Sequence, residues 1–404
     1  MKYCTNCGKA IDDEARFCPA CGKGCGSDAK KEPETVFSAS ENTVPKTDKG
    51  TVNSDETWFD SITRVINGFA GGSGAVRLPF GVIFGGIFKK HSKKEAEEIF
   101  ACGTETTTPE LSDDSMKWQS PWLWTRVLLA FLVALFFLHV CCDSFDNMNS
   151  YPGVILIGSF MVPIALLIFF FELNTPKNIS FFSILKYFLV GGCASLLATL
   201  FLYNIVSFGD NEWVNAMIIG VVEEVGKLAI VAIIIWNSKT VKYAINGLLI
   251  GAAIGAGFAA FESSGYAFRI FINNLLGNGN VAFAYGEMTE NIFLRAFLAP
   301  GGHIVWAAIA GYAVMLIKGD KQLDMSFLNK KAFWKIFWIP IVLHGVWDMP
   351  ISLGGDSLIV AIIPQILLSL IAWVVVLILI SNSLAQIGNI LKREAAEKSG
   401  VDVI

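Results

Sequence analysis

From about residue 118 onward the chain is a succession of apolar runs of roughly twenty residues, separated by short breaks. At 1.5 Å rise per residue, a helix of that length matches the ~30 Å hydrocarbon core of a bilayer. Lipid offers no hydrogen-bond partner to the backbone, so each run must satisfy its own N–H and C=O groups. Only a helix does that within one segment. Composition agrees: across 404 residues, 53% apolar and 16% charged with a mean hydropathy of +0.54, the chain lies outside the soluble globular range. The fold class expected is an all-α membrane protein, a bundle of about eight transmembrane helices behind a small N-terminal Cys4 zinc ribbon. The net charge of −4 predicts no nucleic-acid partner. The lipid bilayer is the partner implied directly.

The candidate spans are 121–140, 151–172, 181–205, 213–236, 243–271, 291–317, 332–350 and 357–383. The connections 141–150, 206–212, 272–290 and 351–356 contain no Lys or Arg. The alternate connections carry Lys177, then Lys239 and Lys242, then Lys318, Lys321, Lys330 and Lys331, and the tail carries Lys392, Arg393 and Lys398. Basic loops stay on the cytoplasmic side, so an even number of spans with both termini cytoplasmic is expected, in the cell membrane. No secretory signal opens the chain, and the first span is expected to direct insertion.

Ahead of the spans, Cys4, Cys7, Cys18 and Cys21 follow the pattern C-x2-C-x10-C-x2-C, with Gly8 and Gly22 just after each CxxC pair. Two such knuckles turn four thiolates toward one tetrahedral Zn²⁺, and a segment this short gains its folding energy from the metal. All four ligands are protein thiolates, so this is a closed structural site. A pair of disulfides is the competing reading, disfavoured by a reducing cytoplasm. The division expected is a zinc ribbon over 1–23, a disordered linker over 24–56, a juxtamembrane amphipathic or re-entrant segment over 57–117, a membrane domain over 118–385 and a cytoplasmic tail over 386–404. Within 57–117, Trp58, Phe59, Ile62, Val65, Ile66 and Phe69 share one side of a helical pattern, and apolar Pro79–Phe88 is too short to span.

The spans are not uniformly apolar. The fourth contains Glu223, Glu224 and Lys227, the fifth Glu262, the sixth Arg295 and His303, and the seventh His344 and Asp348. Each such residue at mid-helix costs about 2.5–3.5 kcal/mol on insertion scales, and their concentration in four consecutive spans marks a site. Counted from the span ends, Glu223, Glu262, His303, His344 and Asp348 all fall between the midplane and the outer leaflet. Gly247, Gly251 and Gly255 make a face for close helix approach, and Glu262 follows on nearly that face. Pro300-Gly301-Gly302 should break the sixth span and Pro340 should kink the seventh. Helices broken at membrane depth line enclosed or watered cavities.

The motifs E-E-V-G-K at 223–227, F-E-S-S-G-Y at 261–266, His303 on the next span and H-G-V-W-D at 344–348 resemble the PrsW family. That family is related to the CAAX prenyl endopeptidases and the Abi proteins. The resemblance covers about residues 120–385. It implies an intramembrane endopeptidase acting on a membrane-anchored protein, with regulatory cleavage of an anti-sigma-factor-like substrate as one form. It implies Glu223, Glu224, Glu262, His303, His344 and Asp348 as the catalytic set.

The side chains alone suit that chemistry. Peptide hydrolysis needs an activated water, stabilisation of the tetrahedral intermediate and a proton donor to the leaving amine. No Ser or Cys sits in a nucleophile motif beside these residues. Glu223 or Glu224 with His303 are expected to activate water, while His344 and Asp348 orient groups or stabilise the intermediate. Lys227 and Arg295 read as charge partners. Two histidines and a carboxylate also suffice for a catalytic Zn²⁺ with one open position, and the sequence leaves metal-dependent and glutamate-dependent hydrolysis both open. The alternatives are an ion-coupled transporter, since carboxylates on broken helices also serve carriers, and a non-catalytic peptide-binding membrane receptor. The zinc ribbon is read as docking a cytoplasmic partner or gating activity.

Overall fold

The computed structural model describes residues 2–3, 10–11, 57–238, 240–351 and 358–399. Two short strands, β1 (Lys2–Tyr3) and β2 (Ala10–Ile11), pair antiparallel, Lys2 opposite Ile11. They belong to an N-terminal unit, Met1–Lys46, separate from the unit Thr47–Ile404. Cys4, Cys7, Cys18, Cys21 and the 24–56 linker lie outside the described residues.

Among its described residues the regular structure of the second unit is all helix. Three short helices come first, α1 (Trp58–Phe69), α2 (Phe80–Ile83) and α3 (Lys93–Phe100). The bundle follows with α4 (Leu123–Phe145), α5 (Tyr151–Leu173), α6 (Phe181–Lys186) and α7 (Gly192–Tyr203), the last two joined through a π turn. Next come α8 (Glu212–Trp236), α9 (Ala244–Asn278), α10 (Val281–Leu298) and α11 (His303–Lys318). The chain closes with α12 (Lys331–Trp347), α13 (Leu358–Ala361) and α14 (Ile363–Ser399). Six helical stretches among the described residues are long and apolar enough to cross a membrane: Leu123–Phe145, Met148–Leu173, Phe181–Tyr203, Ala244–Gly277, Val281–Lys318 and Ile363–Glu397. The protein is a multi-pass membrane protein. The other two expected spans are also helices in the bundle. One of them, α8, carries Glu223, Glu224 and Lys227 at its middle, and α12 has only 17 residues.

Two boundaries differ from the sequence reading. The expected 272–290 connection is mostly helix, because α9 runs on to Asn278 and α10 starts at Val281. Gly279 at φ +63° ends α9, and the Asn280 side chain accepts the Phe283 N–H to start α10. The expected break at Pro300-Gly301-Gly302 is present as a single 3-10 turn between α10 and α11, whereas α12 runs through Pro340 as one helix.

The core is built on α9 against α11. A Cβ on Gly247, Gly251 or Gly255 would stand 2.0–2.3 Å from a backbone oxygen of α11, so only glycine permits this approach. Around this pair pack α5, α7, α8, α10 and α12. At one end of the bundle, helix termini are tied together by polar groups. Glu172 of α5 accepts the N–H groups of Trp122, Leu123 and Trp124 at the start of α4. Asn246 joins Asn174 and Asn178, Lys318 donates to Val241 O, and Gln386 accepts the Ala244 N–H. Arg126, Lys177, Lys242, Lys321, Lys330 and Lys331 gather at this end, while 146–150, 204–211 and 279–280 at the other contain no Lys or Arg.

Candidate functional site

The acidic and histidine side chains of α8, α9, α11 and α12 meet in one place. Glu223, Glu224 and Lys227 lie on α8, Glu262 on α9, His303 opens α11 directly after the broken turn, and His344 lies one turn before the end of α12, with Asp348 just past it. Glu223, Glu262, His303, His344 and Asp348 line a cavity of about 390 Å³, which also reaches Tyr203, Ser263, Tyr266, Arg295 and Trp306. All six residues expected in the catalytic set are gathered here, although Glu224 is sealed beneath the cavity lining and reaches it only through its partners.

The hydrogen bonds define each group's orientation. His344 Nδ1 lies 2.8 Å from Glu224 Oε1, and its Nε2 lies 3.4 Å from Asp348 Oδ2 and 3.7 Å from Glu223 Oε2. His303 Nε2 lies 3.1 Å from Glu262 Oε2, while its Nδ1 is 2.8 Å from Lys227 Nζ. An ammonium can only donate, so Nδ1 of His303 accepts and Nε2 carries the hydrogen given to Glu262. Lys227, fully buried, also reaches Glu224 Oε1 at 2.6 Å and stands 4.5 Å above the Phe258 ring. Arg295 binds Glu262 Oε2 at 2.5 Å and Ser263 Oγ at 2.9 Å. Both cations therefore pair with carboxylates, as read from the sequence.

Glu223 and Glu224 each keep Oε2 buried without a hydrogen bond, but only Glu223 lines the cavity. Its Oε1 accepts from the Tyr203 hydroxyl at 3.0 Å. Its Oε2 is buried and accepts no hydrogen bond, although Lys227 Nζ, His303 Nδ1 and His344 Nε2 stand 3.8, 3.9 and 3.7 Å away. A buried carboxylate oxygen without a partner is costly, and here it faces the space between both imidazoles. Glu223, His303 and His344 each offer a ligand atom within 4.8 Å of the others.

A family model described as PrsW family intramembrane metalloprotease matches residues 178–380. This chain belongs to the PrsW family. The match contains every residue of the cluster, Tyr203 included, and it begins after α4 and α5, which the resemblance over about 120–385 includes. A zinc-ribbon domain model matches residues 3–24, which contain all four CxxC cysteines. Protease PrsW of Clostridioides difficile (strain 630) is 26% identical over 173 residues, covering 41% of this chain and 65% of that protein. The chain thus spans just under two thirds of that curated relative's length. No solved structure matches.

The metal implied by the PrsW family description fits the donors present. Two imidazoles and a carboxylate are a zinc-type set, and the unpartnered Glu223 Oε2 between them is the kind of acceptor a cation would satisfy. Lys227 shares the His303 Nδ1 lone pair with any such ion. Three neighbours in this PrsW-family site went unremarked in the sequence. Tyr203 hydrogen-bonds Glu223 from α7, Ser263 binds Arg295, and Trp306 stacks on His344 with ring centroids 4.4 Å apart. Trp306 was within reach of the sequence, since it lies one turn after His303. Tyr203 carried no signal, being separated from Glu223 by 20 residues and a loop. Tyr266 makes no hydrogen bond to Glu262. Its ring lies between the guanidinium groups of Arg269 and Arg295, at 4.6 and 4.4 Å.

Proposed function

We propose that this chain is an intramembrane endopeptidase that hydrolyses a peptide bond in a membrane-anchored protein, with Glu223 as the group that activates water. The observation that carries the reading is the unpartnered Glu223 Oε2, buried at the wall of a polar cavity and facing both imidazoles. Membership of a protease family favours this over the carrier and receptor readings.

In this mechanism a water in the cavity loses a proton to Glu223 Oε2 as its oxygen attacks the peptide carbonyl. The proton passes from Glu223 to the leaving amine as the C–N bond breaks. Tyr203 holds the other carboxylate oxygen and so aims Oε2. Glu224 accepts the Nδ1 hydrogen of His344, which leaves His344 Nε2 turned to the cavity and to Asp348. Glu262, itself held by Arg295, fixes the His303 ring. A divalent ion such as Zn²⁺, if bound, would be held by Glu223, His303 and His344 and would itself acidify the water, the part Glu223 Oε2 plays as base when no ion engages it.

The end of the bundle rich in Lys and Arg is cytoplasmic in this reading. That puts both termini in the cytoplasm of a cell-membrane protein and the site in the outer half of the bilayer. A single-span protein cut near its outer surface, as in regulatory cleavage of an anti-sigma-factor-like protein, fits this geometry. Cys4, Cys7, Cys18 and Cys21 hold a structural Zn²⁺, and the ribbon contacts a cytoplasmic partner.

The test uses purified full-length chain, reconstituted with a single-span reporter. Cleavage by the native chain and its loss in Glu223→Ala and His303→Ala, both still folded by thermal melting, are the expected results. Undiminished cleavage in Glu223→Ala refutes the assignment.

A further inference from the structure

The segment ahead of the first span is amphipathic in the inverse sense to a soluble helix. On α1, Trp58, Ile62, Val65 and Phe69 recur at spacings of four, three and four, one stripe on the helix surface. That stripe is exposed, Trp58 at 76% and Phe69 at 58%. The opposite stripe holds Thr63 and Asn67, buried at 0% and 3%. Within the segment Thr63 Oγ1 accepts the Val76 N–H and Asn67 Nδ2 donates to Ser73 O and Gly74 O, while Asn67 Oδ1 is buried without a partner. A helix packed to bury its apolar face against its own protein would show the reverse.

The apolar exposure continues past α1. Phe80, Phe84 and Phe88 recur every four residues, and all are exposed, Phe88 at 92%. Lys89 and Lys90 follow directly, and neither pairs with an acidic group among the described residues. The height of this segment is fixed by the first span. Arg126, in the first turn of α4, donates to Ile87 O at 2.9 Å. His91 bonds Gly86 O and stacks flat on Trp122, the residue that caps α4, at 3.8 Å between centroids. Above that point α4 exposes Leu129, Leu132, Val133, Phe136 and Phe137, the outward surface of a membrane span. The aromatic stripe is therefore continuous with a lipid-facing surface and borders it at the level where α4 enters the bilayer.

We propose that residues 58–88 form an apron lying in the phospholipid leaflet that α4 enters, with Trp58, Ile62, Val65, Phe69, Phe80, Phe84 and Phe88 among the upper acyl chains. Lys89, Lys90 and Arg126 sit at the level of anionic headgroups. The polar stripe faces the protein, where Thr63 and Asn67 make their hydrogen bonds to the 73–76 backbone. Aromatic groups followed by lysines are the composition that holds a helix in the plane of a membrane surface. The bilayer is the occupant argued here because the same chain is already embedded in it at that height. The proposal does not depend on the protease reading.

The test places a photoreactive benzoyl-phenylalanine in turn at Trp58, Phe69 and Phe88 of the full chain, reconstituted in vesicles of phosphatidylcholine and phosphatidylglycerol. Phe136, on the outward face of α4, is the lipid-facing reference, and Glu97, exposed on α3, is the water-facing one. Mass spectrometry is expected to find phospholipid adducts from all three apron positions at yields comparable with Phe136, and none from Glu97. Adducts from Phe136 alone, or crosslinks from the apron to a second copy of the chain instead of lipid, would overturn it.

Discussion

Nζ of Lys227 lies 2.8 Å from Nδ1 of His303, on the side of the ring that faces Glu223. The ammonium thus occupies the lone pair that His303 would give to a divalent ion. Two unit charges 4 Å apart repel by about 4 kcal/mol at an effective dielectric of 20. Lys227→Met removes that repulsion and frees the donor. With the four N-terminal cysteines changed to serine so that only the membrane site is titrated, zinc affinity is expected to rise at least tenfold on adding Lys227→Met. Competition against a chromogenic chelator measures it. An equal or weaker affinity in the Met variant would show that Lys227 is not the competitor.

Glu223 and Glu224 are adjacent in sequence but differ in what they touch. Each keeps one buried oxygen without a hydrogen bond, but Glu223 lines the cavity while Glu224 is sealed behind His344 and Lys227. Glu223→Gln keeps the shape and removes the base, so reporter cleavage is expected to fall by about 10²–10⁴-fold, the usual worth of a general base. Melting temperature should stay near that of the native chain. Glu224→Gln should instead lower both, because it unpairs a buried ammonium. Equal effects of the two variants on stability would contradict this division of roles.

Tyr203 aims Glu223 from α7. Removing its hydroxyl leaves Glu223 Oε1 short of a partner, at about 1–3 kcal/mol. Tyr203→Phe is therefore expected to reduce the turnover number of reporter cleavage roughly tenfold while leaving substrate affinity unchanged. A defect confined to affinity would mean that Tyr203 touches substrate instead.

The parts legible in the sequence are those governed by spacing within one helix. Gly247, Gly251 and Gly255 marked a face for close helix approach, though not that α11 is the helix that takes it. The ionisable residues of four consecutive helices gave the site because their presence in lipid needs a reason. What escaped was set by contacts between helices. The α9 helix outlasts the membrane by running on through a polar Asn-Gly stretch to Asn278, where hydropathy no longer marks it. Lys227 was read only as a charge partner, and which groups it meets was hidden: it sits nearer Glu224 and His303 than Glu223, since α11 and α12 supply the other half of its surroundings.

Glu172 shows the same limit and yields a stability prediction. Read in sequence, it is a lone acid at the end of a span. In the fold, Oε1 accepts the Trp122 and Leu123 N–H groups at 2.9 and 3.0 Å, and Oε2 accepts that of Trp124 at 3.1 Å. These are the unpaired donors that begin α4, and a carboxylate there also meets the positive end of the helix dipole. Capping by a residue of another helix ties the start of α4 to the end of α5. Glu172→Ala orphans three donors at the start of α4. The expected loss is about 1.5–3 kcal/mol, the range for hydrogen bonds to a charged group. Hydrogen exchange should rise at 122–126 and leave α9 and α11 unchanged. A uniform rise across the bundle would mean that Glu172 supports the whole core and not this one junction.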